Sequence, residues 1–428
     1  MSLPEPGREP FLSSADGIAG RLRATPEDFA VAERELLPPE TADGRHTIVR
    51  VTARNRETNL LVRDLARALG IQPRAIGFAG TKDKRAVTTQ LMSVRASPEA
   101  LAAVALSGIT LEPLYRTPKP LRLGQLRGNR FTIRVADAEE PESHVPAILA
   151  ELAGRFPNYF GVQRFGASRP VTHLVGEALL RGDWQHAVKT YISAPATEAT
   201  DASEARAAAE AARAHYRDTG DLPGTLEALP GHLLFERQLV GHLLRQPDDW
   251  QGALQRLPPN LQQMFIHAAQ SALFNAMVAQ RLAQELPLDR PEEGDIVLPA
   301  DRHGGPDQRA PIAVTVHNQP KLAKRCAEGK AWVTALLPGL SAPYAKGPQG
   351  DIERQIVAES GIARERYALP EAPRLASDGL RRPIHATAQA LEWSLDDGVP
   401  EFRFALDKGT YATSFMREIM KAGDLRAY

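Results

Sequence analysis

The sequence predicts an α+β fold: a mixed, mainly antiparallel sheet with flanking helices, interrupted by a large inserted, helix-rich α/β domain. Three observations predict it. Strand-like alternation appears near both ends of the chain, at Phe29, Val31 and Glu33 and again at Phe402, Phe404 and Leu406. Between them, beyond Gly166, helical periodicity dominates. The length of 428 residues also exceeds one compact core of ordinary size. The expected partition is a first part over 1–166, an insertion over 167–385, and a return to the first domain over 386–428.

Taken in order, Phe29, Val31 and Glu33 follow the turn Pro26-Glu27-Asp28 and read as a strand, and Ile48, Val49 and Val51 make a second. Asn59 to Leu69 reads as a helix. Leu61, Leu65, Ala68 and Leu69 share a face, Thr58 or Asn59 can cap its start, and Gly70 can end it. Strands are expected over 75–79 and 87–94, on either side of a polar loop, and at Phe131, Ile133 and Val135 after a turn at Arg127-Gly128-Asn129. In the insertion, 201–217 is an alanine-rich amphipathic stretch opened by a capping box of Asp201 and Glu204, and 264–286 is a second long helix. Residues 287–311 are rich in Pro, Gly, Asp and Arg and read as loops. After the Phe402 to Leu406 strand, a closing helix presents Phe415, Met416, Ile419 and Met420 on one face.

Composition excludes several classes. No run approaches the 18 or so apolar residues that span a bilayer, and the N-terminus lacks the apolar core of a secretory signal, so a cytoplasmic protein without a membrane is expected. The single cysteine, Cys326, allows no intramolecular disulfide and no cysteine-based zinc cluster, and the 11 histidines lack ligand spacing; no metal is expected. Lys and Arg total 52, matched by 52 Asp and Glu, so a generally polycationic coat is excluded. The distribution is less even. Residues 113–136 hold six basic side chains (Arg116, Lys119, Arg122, Arg127, Arg130, Arg134) and no acid, and 152–170 hold Arg155, Arg164 and Arg169 without one. Such stretches suit a surface that meets phosphates.

The loop Gly80-Thr81-Lys82-Asp83-Lys84-Arg85 places one carboxylate among three cations. Opposite charges nearby bias an aspartate below its usual value of about 3.9, so Asp83 is expected as an anion able to act as nucleophile, base or electrostatic anchor. A phosphate-binding P-loop is excluded by spacing: only two residues separate Gly77 and Gly80, and Thr81 precedes Lys82.

Five blocks then ask for one explanation: 23–33 (Arg-Ala-Thr-Pro-Glu-Asp-Phe-Ala-Val-Ala-Glu), 80–90 (Gly-Thr-Lys-Asp-Lys-Arg-Ala-Val-Thr-Thr-Gln), 121–132, 158–166 (Asn-Tyr-Phe-Gly-Val-Gln-Arg-Phe-Gly) and 411–418 (Tyr-Ala-Thr-Ser-Phe-Met-Arg-Glu). In this order they closely resemble the TruD-type tRNA pseudouridine synthases. Between about 170 and 385 only Gln270-Ser271-Ala272-Leu273-Phe274-Asn275 looks familiar. The resemblance implies a pseudouridine-synthase-type sheet carrying an inserted TRUD domain. It also implies an isomerase that converts a tRNA uridine, usually at position 13, to pseudouridine, with tRNA as partner and no cofactor. By motif position, Asp83 carries the catalytic aspartate and Phe29, Asn129 and Tyr411 the substrate contacts.

The residue chemistry fits those roles. An extruded base needs aromatic surface, which Tyr411 offers, and an amide such as Asn129 can read a uracil edge. Without the resemblance Tyr411 and Phe29 would read as core and Asn129 as a turn residue. Arg23 stands where some members have lysine, a partner for Asp83; its planar fork changes the local geometry. The 158–166 block is expected to brace the catalytic loop and mark the entry to the insertion. The competing reading is a non-catalytic RNA-binding protein, for which Asp83 would have no purpose.

Overall fold

The structure is a computed structural model that describes residues 4–82, 84–166, 169–196 and 204–428. The chain divides into two compact units, one formed by Leu12–Phe156 with Ala386–Tyr428 and the other by Met1–Phe11 with Pro157–His385.

The first unit is built on an eight-stranded sheet. Its strands run in the order Gln389–Asp396, Val399–Asp407, Leu126–Arg134, Phe29–Glu35, Val87–Val94, His46–Arg54 and Ile109–Thr117, with the short Ile76–Phe78 pairing the Val87–Val94 strand as well. Only the Phe29–Glu35 and Val87–Val94 neighbours are parallel; the other pairs are antiparallel. The register puts Phe402, Phe404 and Leu406 opposite Ile133, Phe131 and Asn129, which in turn face Phe29, Val31 and Glu33. Paired residues share a face, so these side chains form one layer of alternate positions. The helices Thr58–Ala68 and Ala412–Met420 contribute Leu61, Leu65, Phe415 and Met416, all buried on the apolar stripe that an amphipathic helix turns to a core.

Three local expectations change. The cap of the Thr58–Ala68 helix is Glu57, whose carboxylate accepts from Asn59 N; the Thr58 hydroxyl is already taken by Lys82 N, 2.7 Å away. Arg127-Gly128-Asn129 is strand, not turn, and the reversal lies earlier, where Gln125 N donates to Arg122 O. Gly128 is there for proximity: a Cβ would sit 1.9 Å from Leu406 O on the neighbouring strand. The 287–311 segment, expected as loop, contains the strand Ile296–Pro299.

The second unit pairs a four-stranded antiparallel sheet, in the order Ile312–Ala313, Ile296–Pro299, Ala331–Leu337, Leu380–Pro383, with a helical layer. The Pro259–Ala283 helix runs through that layer, and Val175, Leu179, Ile192, Leu239, Leu254 and Phe265 form its core. The helix expected over 201–217 is observed as Glu204–Thr219; Asp201 lies outside the described residues. The 158–166 block and the 270–275 block meet here. Asn275 accepts from Phe160 N at 2.8 Å and donates to Phe160 O at 3.0 Å, while Arg382 stacks on the Phe160 ring at 4.0 Å and donates to Asn158 Oδ1 at 2.9 Å. These contacts of the block serve the second unit's own packing.

No helix among the described residues is long and apolar enough to cross a membrane.

Candidate active site

The described site candidates of the first unit, Arg23, Phe29, Asn129 and Tyr411, lie on or beside one face of the sheet. Arg23 adopts a left-handed backbone, φ 59°, unusual for a side-chain-bearing residue and a frequent mark of functional loops. A short turn follows, locked by the Asp28 carboxylate, which accepts from Thr25 N at 2.6 Å and Thr25 Oγ1 at 2.9 Å. The strand then opens on Phe29. Its ring is 3% exposed, meets Phe131 edge-on at 6.2 Å between centroids, and lies beneath the Arg23 guanidinium at 4.2 Å. Arg23 and Phe29 are therefore one stacked unit, with the Phe29 ring beneath the guanidinium.

Asn129 is an inward-facing residue of the Leu126–Arg134 strand, opposite Glu33 on one side and Leu406 on the other. Its side-chain Oδ1 is buried and has no hydrogen-bond partner among the described residues. Four residues separate Phe29 from Glu33, so Phe29 and Asn129 stand roughly 13 Å apart along the strands. Beyond Leu406 the chain turns through 407–410, and Tyr411, half-buried, caps the Ala412–Met420 helix.

Asp83 itself lies outside the described residues. Its neighbours on both sides are pinned. Lys82 is buried; its backbone N donates to Thr58 Oγ1 at 2.7 Å and its Nζ lies 2.6 Å from Glu33 Oε1. After the loop, Arg85 N donates to Asn55 Oδ1 at 3.2 Å and Asn55 N to Ala86 O at 2.9 Å. Arg85 and Asn55 both have positive φ, 61° and 54°, so these anchors hold a conformation that side-chain-bearing residues seldom choose.

Two findings differ from the sequence reading or go beyond it. Of the three cations expected around Asp83, Lys82 is turned inward to a carboxylate, because a buried Glu33 needs an opposite charge. Glu33 itself was not singled out. The signal was visible, since an acid occupied the third inward position of the Phe29, Val31, Glu33 alternation, where an apolar side chain is the rule.

The electrostatics around this face are mixed in a telling way. Arg122, Arg127 and Arg130 are exposed and have no ion pair among the described residues, whereas Arg134 is tied to Asp396 at 2.9 Å. Near the strand entrance, the Arg54 hydrogen bond holds the Glu27 carboxyl below its ordinary range. A cavity of about 320 Å³ between Glu140, Glu142, Ser143 and Leu395 is lined by carboxylates and is unsuited to a phosphate backbone. No group of three or more His, Cys, Asp or Glu side chains among the described residues is arranged to hold a metal ion.

Comparison with known proteins adds a family. A model described as tRNA pseudouridine synthase D (TruD) matches residues 5–419. A Methanococcoides burtonii protein is 38% identical over 436 residues, covering 98% of this chain and 97% of its own, and a Halobacterium salinarum protein is 37% identical over 431 residues, covering 97% and 96%. Both carry the name "Probable tRNA pseudouridine synthase D". A crystal structure from Methanosarcina mazei, given the same family name, matches with a TM-score of 0.83 at 35% identity over 100% of both chains.

Proposed function

The chain belongs to the tRNA pseudouridine synthase D family, and from that premise we propose that it isomerises a uridine of tRNA, at position 13, with Asp83 as the catalytic carboxylate and no cofactor. The bond from N1 to C1′ breaks and one from C5 to C1′ forms; a proton leaves C5 and one is bound at N1. Atoms and electrons balance within the substrate, so positioning, an anion and proton transfer suffice. The observation that carries this reading is the pair of anchors around position 83, Lys82 held by Thr58 and Glu33, and Arg85 and Ala86 held by Asn55. Catalytic groups work from such over-determined loops.

In this reading the everted uracil lies against Tyr411, and the unpartnered Asn129 Oδ1 accepts from its N3–H. Arg23, stacked on Phe29, serves as the cation for Asp83, while Arg122, Arg127 and Arg130 meet the RNA backbone. The test is incubation with tRNA transcripts and no added cofactor, followed by chemical tagging that maps pseudouridine, because substrate and product have equal mass. Asp83→Asn is expected to abolish product and keep tRNA affinity. A non-catalytic RNA-binding protein would give no product even as wild type.

A further inference from the structure

We infer that Leu123 is an apolar wedge that enters the base stack of the RNA as the target uridine leaves it. The inference rests on the proposed activity and deepens it, by naming the side chain that takes the place of the everted base. Leu123 is 70% exposed, the most exposed of the large apolar side chains among the described residues. A single exposed leucine on a loop is ordinary. What sets this one apart is how its turn is held.

Leu121, two residues earlier, is buried against Ile48 and Leu91, and its backbone N donates to Ser93 Oγ at 2.8 Å. Within the turn, Arg122 N donates to Gln125 Oε1 at 2.6 Å and Gln125 N to Arg122 O at 3.1 Å. Gly124 has φ 86°, the left-handed backbone that lets the chain reverse there. Its peptide groups tie the turn to two segments that carry site candidates. Gly124 N donates to Ala79 O at 2.8 Å, just before the 80–85 loop, and Lys408 Nζ lies 3.5 Å from Gly124 O, in the turn that leads to Tyr411. Lys408 N also donates to Arg127 O at 3.0 Å. Leu123 therefore stands at the tip of a braced turn, with the exposed cations Arg122 and Arg127 close by in the chain. Everting a base gives up its stacking and pairing, and proteins that open a stack commonly insert an apolar side chain into it. Leu123 has apolar area to remove from water only when such a partner is bound, and a turn already fixed spends little ordering entropy on the insertion. The nearby arginines suit the phosphates on either side of the gap.

The experiment compares Leu123→Ala and Leu123→Met with the wild type, measuring kcat and KM on tRNA. A fluorescent purine analogue beside the target uridine reports the opening of the stack on binding. At so exposed a position neither change removes a core contact, so both variants keep the fold. Leu123→Ala is expected to lose about 10- to 50-fold in kcat, the worth of burying most of an isobutyl group, with KM within about threefold of wild type. The fluorescence rise on binding should fall by at least half. Leu123→Met, apolar and of similar volume, should keep kcat within about threefold and the full fluorescence rise. Wild-type kcat in Leu123→Ala overturns the inference. A slow Leu123→Ala that still gives the full rise overturns it too, because the side chain would then act after the stack has opened. A loss that disappears as enzyme concentration rises would assign Leu123 to contact between copies of the chain, again against the inference. A wild-type enzyme that makes no pseudouridine sinks the proposed function instead.

Discussion

Two buried ion pairs of the second unit and one of the first are satisfied to different degrees. In the second unit Arg281 grips Asp295 through two bonds, 2.8 and 2.9 Å, and adds Pro287 O and Gln349 Oε1. Nearby, Arg381 meets Glu353 at 2.8 Å and also donates to Thr334 Oγ1 and to the Pro343 and Thr334 carbonyls. Glu353 in turn accepts from Leu336 N, Ala345 N and Gln349 Nε2. Lys82 in the first unit makes one side-chain hydrogen bond among the described residues, to Glu33. A network in which most donors have acceptors reads as architecture, since nothing is left over for a ligand. A sparsely bonded pair next to a loop of unusual backbone reads as part of a working site.

The sharpest way to break this contrast is to remove one partner of the saturated network. Glu353→Gln leaves the Arg381 charge buried without its counter-ion and is expected to lower stability by about 3–5 kcal/mol. Pseudouridine formation per folded molecule should stay at the wild-type level. Denaturant melts followed by turnover at low temperature check both halves; a stable but inactive variant would erase the distinction between the units.

A second effect belongs to the same unit. Burial holds the His173 imidazole down at about 4, and its ring packs edge-on against Phe165 at 5.4 Å. The unfolded chain binds a proton near pH 6.5 and the folded one does not, so stability falls as pH drops from about 6.5 to about 4. The contribution is at most about 3.4 kcal/mol, the free-energy equivalent of the difference between the folded and unfolded imidazole. His173→Leu should flatten that limb in melting curves recorded across the window; an unchanged slope would place the acid sensitivity elsewhere.

Tyr411 tests the first unit directly. Its loss to alanine is expected to weaken tRNA binding by about 1–3 kcal/mol, the worth of one base stack, while Tyr411→Phe keeps most of it. Equal weakening by both variants would assign the role to the hydroxyl and not to the ring.

How far the sequence revealed these features follows from the range of the interactions. The inner strand carrying Phe402, Phe404 and Leu406 was legible because its alternation is local and needs no partner to be seen, whereas the edge strands Gln389–Asp396 and Ile109–Thr117 were not read. The closing helix was legible for the same reason, its Phe415, Met416, Ile419 and Met420 all being buried. Gly128 misled, since a glycine beside an asparagine signals a turn, and the carbonyl of Leu406 that demands it is 278 positions away in the chain. The candidate site residues came from ordered motifs. The direction of the Lys82 side chain did not, because it depends on Glu33, 49 residues earlier.

The smallest expected effect concerns Gln90, the last residue of the 80–90 block. Its side chain faces inward, opposite Val51, and is 1% exposed; neither amide atom has a hydrogen-bond partner among the described residues. In the second unit the comparable buried amide of Gln349 accepts from Arg281 and donates to Glu353. An amide buried without partners costs stability that an apolar side chain of similar size does not, so Gln90→Leu is expected to stabilise the fold by about 1–2 kcal/mol. Gln349→Leu, which strips two charged neighbours of a bond, should do the opposite. If Gln90→Leu raises the melting temperature while lowering kcat, the amide is kept for the reaction, as stability given up at working sites generally is. If it lowers the melting temperature, Gln90 belongs with Gln349 among the structural polar groups, and the contrast between the two units narrows to the Lys82 and Glu33 pair.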